Sequence, residues 1–259
     1  MGQAIISGLV SAKRTGVSNI IVADPSKKVR NHCAKHLGIQ TCKSNQDAIL
    51  DADVVIFAVK PQHMHSVISE LKFKEKPTCL FISIAAGIRL HHLERLLGKD
   101  QAIVRCMPNT PALVHSGISV LVATKKTSAS QRLQAETLLQ SVGKTIWIED
   151  EALMDSVTAV SGSGPAYFFL LIELIQKAGI QLGLPSDLAE TLAVETAVGA
   201  AKLAQQSPDT PSELRKKVTS PQGTTEAALN VFSNSGLEDI VNLAITAARD
   251  RSIALSKEN

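Results

Sequence analysis

The sequence predicts an α/β fold in which a doubly wound sheet is followed by an all-helical domain. Up to about residue 150, short apolar runs typical of strands alternate with segments of helical period, and beyond it no strand-like run follows. The 259 residues are 44% apolar and 20% charged, which is ordinary globular usage. Aromatic residues are only 3% and the net charge is +3, so neither base stacking nor a polyanionic partner is indicated.

Six runs rich in β-branched and other apolar residues predict the strands of the sheet. Several of them are apolar throughout, as expected of parallel strands that are buried on both faces. The runs are residues 20–23, 54–58, 80–84, 103–106, 118–122 and 145–148.

Segments of helical period separate these runs. Examples are residues 26–37, 45–50, 61–71 and 128–141. Strand, helix and strand repeated in this way indicate right-handed crossovers that cover both faces of one sheet.

The change of pattern near Asp150 predicts two domains, residues 1–150 and residues 151–259. Within the helical part, residues 164–184 are apolar almost all round, so this helix must be covered on every side. About a hundred helical residues hardly suffice to cover it, and a second subunit is the simplest cover. The alternative is a central helix within one compact bundle.

Composition also limits the chemistry. The chain has four cysteines but no CxxC pair, so a disulfide framework or a zinc site is not expected and a reducing cytoplasm fits better. No cluster of Asp, Glu and His has metal-ligand spacing, which predicts no metal. No uncharged apolar run approaches the ~20 residues of a membrane span, so a membrane partner is not expected.

Four short segments follow predicted strands, where a doubly wound fold binds its ligands. Each alone is explained by turn chemistry, but together they form a row along one edge of the sheet. They are residues 24–26, 58–61, 83–87 and 107–111.

Two further segments lie in the helical half. Residues 161–167, Ser-Gly-Ser-Gly-Pro-Ala-Tyr, predict a tight loop that either serves a ligand or simply caps the next helix. Residues 218–225, Val-Thr-Ser-Pro-Gln-Gly-Thr-Thr, offer hydroxyls and backbone N–H groups at a helix start, which suits a carboxylate or phosphate. The alternative for this segment is an ordinary capping box.

Taken in order, these segments resemble the Δ1-pyrroline-5-carboxylate reductases over essentially the whole chain. The resemblance is carried by Ala58-Val-Lys-Pro, residues 83–87, Arg105-Cys-Met-Pro-Asn-Thr-Pro, residues 155–167 and residues 218–225. One departure is Gln222, because the family usually has Ser-Pro-Gly-Gly there. The resemblance implies a Rossmann-like first domain, a helical dimerisation domain, and reduction of 1-pyrroline-5-carboxylate to L-proline, the last step of proline biosynthesis.

The resemblance also implies which residues contact an NADPH or NADH cofactor. Asn45 would touch the adenosine end, and Met107 and Asn109 would border the nicotinamide. The other cofactor-lining residues would be Ala58, Val59, Lys60, Pro61, Ile84, Ala85 and Ala86. Asp24 disfavours a 2′-phosphate in this fold, yet Ser26 and three following basic residues would bind one, so the choice stays open with a lean towards NADPH.

On the substrate side, the resemblance implies that the amides of Gly223, Thr224 and Thr225 bind the substrate carboxylate. The Thr225 hydroxyl would hydrogen-bond the ring nitrogen and help to deliver its proton. Glu151 matches the family's substrate-side carboxylate and would favour the protonated imine. The alternative for Glu151 is a solvated charge.

The resemblance further implies a homodimer, in some members assembled into a larger ring, with a small-molecule substrate and no nucleic-acid partner. Two other functions stay open from the residues alone. A 3-hydroxyacid dehydrogenase has the same two-domain plan, although its catalytic Lys has no clear counterpart here. A non-catalytic dinucleotide-binding protein is the other alternative.

The start of the chain carries one more expectation. Met1-Gly-Gln-Ala-Ile-Ile resembles the end of the family's Gly-x-Gly-Asn-Met-Gly-x-Ala-Ile pattern, without the strand and GxG that precede it. We therefore expect a shortened form of a protein about ten to fifteen residues longer, with poor nucleotide binding. The strands at 20–23 and 54–58 are then expected not to pair directly.

Overall fold

The computed structural model describes residues 1–13, 15–72 and 78–258, and its fold is the predicted mixture of a sheet and a helical region. The chain forms two compact units. Unit 1 comprises Met1–Ser163 together with Ala248–Asn259, and unit 2 comprises Gly164–Ala247. The boundary at residue 150 stays a prediction.

The described residues of unit 1 form seven strands, and each predicted run corresponds to one of them to within two residues at either end. They are β1 (Ile21–Ala23), β2 (Gln40–Cys42), β3 (Val54–Phe57), β4 (Leu80–Ser83), β5 (Ala102–Met107), β6 (Gly117–Ala123) and β7 (Gly143–Trp147). The sequence misses β2 because this strand has only three residues, two of them polar.

The strands form two sheets among the described residues. β1 pairs with β2 in parallel, and β3 to β7 form a five-stranded sheet in chain order. The expectation that the first two predicted strands do not pair directly is confirmed, since β1 and β3 lie in different sheets.

One feature of the predicted sheet is wrong. β6 runs antiparallel to β5, while the other neighbours in this sheet are parallel. The connection between them is a short 3₁₀ turn, Thr110–Val114, rather than a crossover helix. A parallel return needs a connection of about a dozen residues or more, so this shorter one reverses the chain.

Helices cover both faces of the larger sheet, and each face has its own apolar core. The helices of this part are α1 (Gly2–Ser11), α2 (Lys27–Leu37), α3 (Asn45–Ile49), α4 (Met64–Ser69), α5 (Leu90–Leu97), α6 (Ala129–Leu139) and α7 (Met154–Val157). The predicted helix at 61–71 begins as a 3₁₀ turn, Pro61–His63, because proline suits a first turn but not a helix interior.

Helix α7 continues directly into a π-helical turn, Thr158–Gly162. The predicted loop at 161–167 is therefore wrong, because its first residues belong to this turn and Gly164 already begins the next helix. Single π turns inside α-helices are frequent at functional sites.

Unit 2 is helical throughout its described residues. It contains α8 (Gly164–Gln181), α9 (Ser186–Gln206), α10 (Pro211–Lys217), α11 (Thr224–Asn234) and the first half of α12 (Leu237–Glu258). α8 packs against α9, where Ala189 and Ala193 are buried.

The chain leaves much of the long apolar helix α8 uncovered. In α8 Phe168 is 67% exposed and Phe169 65% exposed, and only Gly164 is buried. The alternative of a central helix within one compact bundle is therefore wrong. By length and composition alone, the continuous helix Glu151–Gln181 would also suffice to cross a membrane.

Candidate active site

Three of the four predicted ligand segments, residues 58–61, 83–87 and 107–111, lie along one edge of the larger sheet. The prediction that residues 24–26 belong to the same row is wrong, because they follow β1, which pairs with β2 in the other sheet. β3, β4 and β5 are parallel neighbours in which Ser83 aligns with both Phe57 and Arg105. The Ile84 amide donates to the Phe57 carbonyl at 3.2 Å. The segments after these strands therefore follow one another side by side, as predicted.

The start of α1 lies against this row. A Cβ built on Gly2 would stand 3.0 Å from the Cβ of Ala58, so the helix start closely approaches the end of β3. Ala58 and Ala86 are small and exposed. A helix N-terminus beside small residues fits a flat, phosphate-bearing dinucleotide.

The predicted cofactor residues differ in what they offer. Ala58, Lys60, Ala86 and Ser26 are exposed, and the side chains of Asn45, Val59, Pro61, Ile84 and Met107 are half-buried. Ala85 is only 4% exposed and belongs to the core, so it offers backbone rather than its methyl group.

Asp24 and its neighbours form a turn after β1. The Asp24 carboxylate accepts from the Ser26 amide at 2.7 Å. Arg30 reaches back from α2 and donates through Nη1 to the carbonyls of Asp24 (2.6 Å) and Pro25 (2.9 Å). Asp24, which disfavours a 2′-phosphate, and Arg30, one of the basic residues that would bind it, thus stabilise the same turn.

Asn109 is a tie between backbone segments. Its Nδ2 donates to the Ser161 carbonyl at 3.2 Å, and its Oδ1 accepts from the Ile118 amide at 2.9 Å. Asn109 is 9% exposed, so its amide group serves the protein. Next to it, Met107 packs on the π turn, because its Cε would be 2.4 Å from a Cβ on Gly162.

Glu151 forms an ion pair that the sequence analysis did not foresee. Its Oε1 accepts from Arg105 Nη1 at 2.7 Å and from the Leu90 amide at 2.8 Å. The Arg105 side chain is 5% exposed and that of Glu151 is 24% exposed. The alternative of a solvated charge is therefore wrong. A cation inside an otherwise apolar strand, Ile103-Val-Arg-Cys, is the signal that points to such a partner.

The buried carboxylate of Asp155 ties the end of the chain to the rest of unit 1. Asp155 Oδ1 accepts from the Ser252 hydroxyl at 2.7 Å, and its Oδ2 lies 3.5 Å from Arg89 Nη2. Asp155 and Ser252 are both buried. The last part of α12 is thus held beside α7.

A pocket of about 630 Å³ adjoins the sheet edge at Pro61. His65, His92 and Arg95 are among its lining residues. His92 Nδ1 is buried without a hydrogen-bond partner in the described structure. The pKa of His92 is lowered, mainly because the ring is buried and secondly because His91 lies beside it. Within the described ranges no three His, Cys, Asp or Glu residues gather as metal ligands.

In unit 2 the three predicted substrate residues are consecutive at the start of α11. The Gly223 amide donates to the Ser220 carbonyl at 3.1 Å, and its predicted role in binding a carboxylate stays a prediction. Thr224 and Thr225 are the first two residues of α11, and amides in a first turn have no carbonyl of their own helix to bond.

The capping-box alternative for this segment is also wrong. Gly223 is the N-cap of α11, so no N-cap side chain accepts a hydrogen bond from the first-turn amides. Instead Glu226 Oε2 accepts from the Gln222 amide at 2.8 Å. Thr225 is half-buried.

A sheet edge with small exposed residues beside a helix start, joined in one chain to a helical region, is typical of oxidoreductases that use a nicotinamide cofactor. Family models agree with both parts. Residues 1–87 match the model described as NADP oxidoreductase, coenzyme F420-dependent. Residues 151–255 match pyrroline-5-carboxylate reductase dimerisation.

The chain belongs to the pyrroline-5-carboxylate reductase family. It is 46% identical to the pyrroline-5-carboxylate reductase of Pseudomonas aeruginosa over 258 residues, covering 100% of this chain and 94% of the relative. The solved reductase of Coxiella burnetii superposes with a TM-score of 0.92 at 37% identity, covering 98% of this chain and 94% of that one. The Plasmodium falciparum enzyme, solved with NADP bound, gives 0.88 at 30% identity, with 99% and 94% covered.

These similarities confirm the predicted family, the fold class, an enzyme of the oxidoreductase class and a nicotinamide dinucleotide as its cofactor. The alternatives of a 3-hydroxyacid dehydrogenase and of a non-catalytic dinucleotide-binding protein are wrong. The roles of individual site residues stay predictions.

Proposed function

We propose that this chain reduces 1-pyrroline-5-carboxylate to L-proline with NADPH or NADH, as the last step of proline biosynthesis. The observation that carries the proposal is the row of segments after β3, β4 and β5, with Ala58, Lys60 and Ala86 exposed, in a chain of this family. The cofactor supplies a hydride to the imine carbon, and the ring nitrogen takes a proton. The protein has to bind, orient and polarise.

Residues 1–150 bind the dinucleotide in this proposal. The start of α1 and the exposed Ala58 and Ala86 admit its phosphates and its flat rings to the backbone. Lys60, exposed beside them, adds positive charge. NADPH is the preferred form, in keeping with the basic residues that follow Ser26 and with the NADP found in the Plasmodium relative.

Residues 151–259 bind the substrate and dimerise. The first-turn amides of Thr224 and Thr225 at the positive end of α11 suit the substrate carboxylate. The Thr225 hydroxyl donates a hydrogen bond to the neutral imine nitrogen and helps to deliver the proton that this nitrogen takes. No metal or nucleophile is needed for this chemistry.

Glu151 is the carboxylate that favours the protonated imine in this proposal. Its ion pair with Arg105 offsets part of its negative charge. We therefore expect Glu151→Gln to lower turnover less than Thr225→Ala and to shift the pH optimum.

In this proposal the chain forms a homodimer through its helical domain, and such dimers can join into a larger ring. The protein is cytoplasmic. The exposed side chains of α8 support the dimer, because a contiguous apolar face of this size is normally covered by a partner subunit. A dimer interface lined by Phe168 and Phe169 would bury them without any change of fold.

The test is oxidation of NADPH and of NADH by the full chain with pyrroline-5-carboxylate, followed by identification of L-proline. The reverse reaction, NAD(P)⁺ reduction by proline at high pH, is a second readout. Thr225→Ala should lower kcat about tenfold or more with little change in cofactor affinity, since one such hydrogen bond is worth roughly 1–3 kcal/mol. Absence of product with both cofactors would refute the proposal.

A further inference from the structure

The turn that precedes α11 holds a glutamine in a conformation that favours glycine. Ser220, Pro221, Gln222 and Gly223 form a turn closed by the Gly223 amide on the Ser220 carbonyl at 3.1 Å. Gln222, its third residue, has φ +58°. Turns with proline second and positive φ third prefer glycine at that third position. A residue with a Cβ carries a conformational cost at positive φ, so Gln222 is strained there.

A carboxylate from the next helix turn stabilises this conformation. Glu226 Oε2 accepts from the Gln222 amide at 2.8 Å. Glu226 is half-buried in the first turn of α11, where a negative charge is favourable. Hydrogen bonds to an ionised acceptor are roughly twice as strong as neutral ones.

The turn has little room to relax. A Cβ on Gly223 would stand 2.5 Å from the Ser220 hydroxyl oxygen and 3.0 Å from its carbonyl oxygen. If Gln222 moved to negative φ, the chain would leave the turn in a different direction. The amides of Thr224 and Thr225, which follow at once, would then change their aim.

We propose that Glu226 is a positioning residue that holds Gln222 at positive φ and so aims the Thr224 and Thr225 amides at the substrate carboxylate. The inference rests on the proposed function, because it concerns the same carboxylate site. Glu226 acts through the turn and does not contact the substrate.

The first experiment measures steady-state kinetics of Glu226→Ala. The KM for pyrroline-5-carboxylate should rise about tenfold, the effect of losing one charge-assisted bond, while kcat and the KM for NADPH change less than about twofold. Glu226→Gln keeps an acceptor and should stay within about threefold of the parent KM. An unchanged KM in the alanine variant would overturn the inference.

The decisive experiment repeats Glu226→Ala together with Gln222→Gly. Glycine adopts positive φ unaided, so the added effect of Glu226→Ala on KM should fall below about twofold. An equal effect with and without Gln222→Gly would show that Glu226 acts otherwise. If Glu226→Ala alone fails to fold, restoration by Gln222→Gly supports the same coupling, and failure of both overturns it.

Glu213→Ala is the matched control. Glu213 Oε2 accepts from the Thr210 amide at 2.7 Å at the start of α10, which is the same kind of bond in the same unit. Its loss should lower stability and leave the KM unchanged. Thr225→Ala separates the two proposals. If it leaves reduction unaffected, the proposed substrate site fails, whereas an effect there with an unchanged KM in Glu226→Ala refutes only the positioning role.

Discussion

The ion pair between Arg105 and Glu151 allows a quantitative prediction. Glu151→Ala removes the carboxylate and leaves the Arg105 guanidinium, 5% exposed, without its counter-charge. Removing one partner of a buried pair costs about 3–5 kcal/mol, and the partial exposure of Glu151 places this variant near 3 kcal/mol. The free energy of unfolding should fall by that amount.

Replacing the other partner of the pair, Arg105, should lower the free energy of unfolding by less. In Arg105→Met the Glu151 carboxylate still accepts from the Leu90 amide at 2.8 Å and is 24% exposed, so water can solvate its free oxygen. We expect a loss of about 1–2 kcal/mol. The double variant should be about 1.5 kcal/mol more stable than two independent losses predict, because the pair can be lost only once.

Urea denaturation measures the free energy of unfolding of the parent protein, the two single variants and the double variant. The protein concentration is held constant because assembly contributes to stability. The exposed pair Lys126 and Asp100 is the control, and its coupling should not exceed about 0.5 kcal/mol. Additive effects for Arg105 and Glu151, or a larger loss for Arg105→Met than for Glu151→Ala, would refute the reasoning.

Three further predictions concern packing, ionisation and assembly. Gly8→Ala should lower the free energy of unfolding by about 2 kcal/mol in a urea titration. The added Cβ would lie 2.5 Å from Val142 Cγ1 and 2.7 Å from the Ser141 carbonyl oxygen. Gly16→Ala is the control and should be near neutral, because the nearest atom to its added Cβ is at an ordinary contact distance of 3.5 Å. Cys106 should resist a thiol reagent at pH 8 until the chain unfolds, since burial raises its pKa to about 12, while the half-buried Cys42 reacts sooner. Because the unfolded thiol ionises near pH 9.0, Cys106 should also lower the free energy of unfolding as pH rises from there towards 12, which a Cys106→Ala comparison would show. Phe168→Glu should shift the light-scattering mass towards a monomer, and Leu133→Glu, equally exposed but outside the dimerisation match, should not; a monomeric parent protein would contradict the assembly.

Local patterns were sufficient for most of the elements. Runs such as residues 80–84 and 118–122 are apolar except for one serine each, so they identify buried strands wherever they lie in the sheet. The three residues of β2 are too few and too polar to show such a pattern. Only its pairing with β1 identifies this segment as a strand. The antiparallel return of β6 depends on the length of one connection, which residue periodicity does not report.

The sequence by itself determined the family and the three ligand segments after β3, β4 and β5, and it predicted a helix from Glu226, two residues after the observed start at Thr224. Each of these depends on consecutive residues. Only the tertiary structure decided what those residues are free to do. It showed Asn109 joined to Ser161, Glu151 joined to Arg105 and Gly223 closed on Ser220. These partners are separated by up to 52 residues, and a hydrogen bond forms only between atoms about 3 Å apart, so the folded chain must bring them together before their chemistry is set.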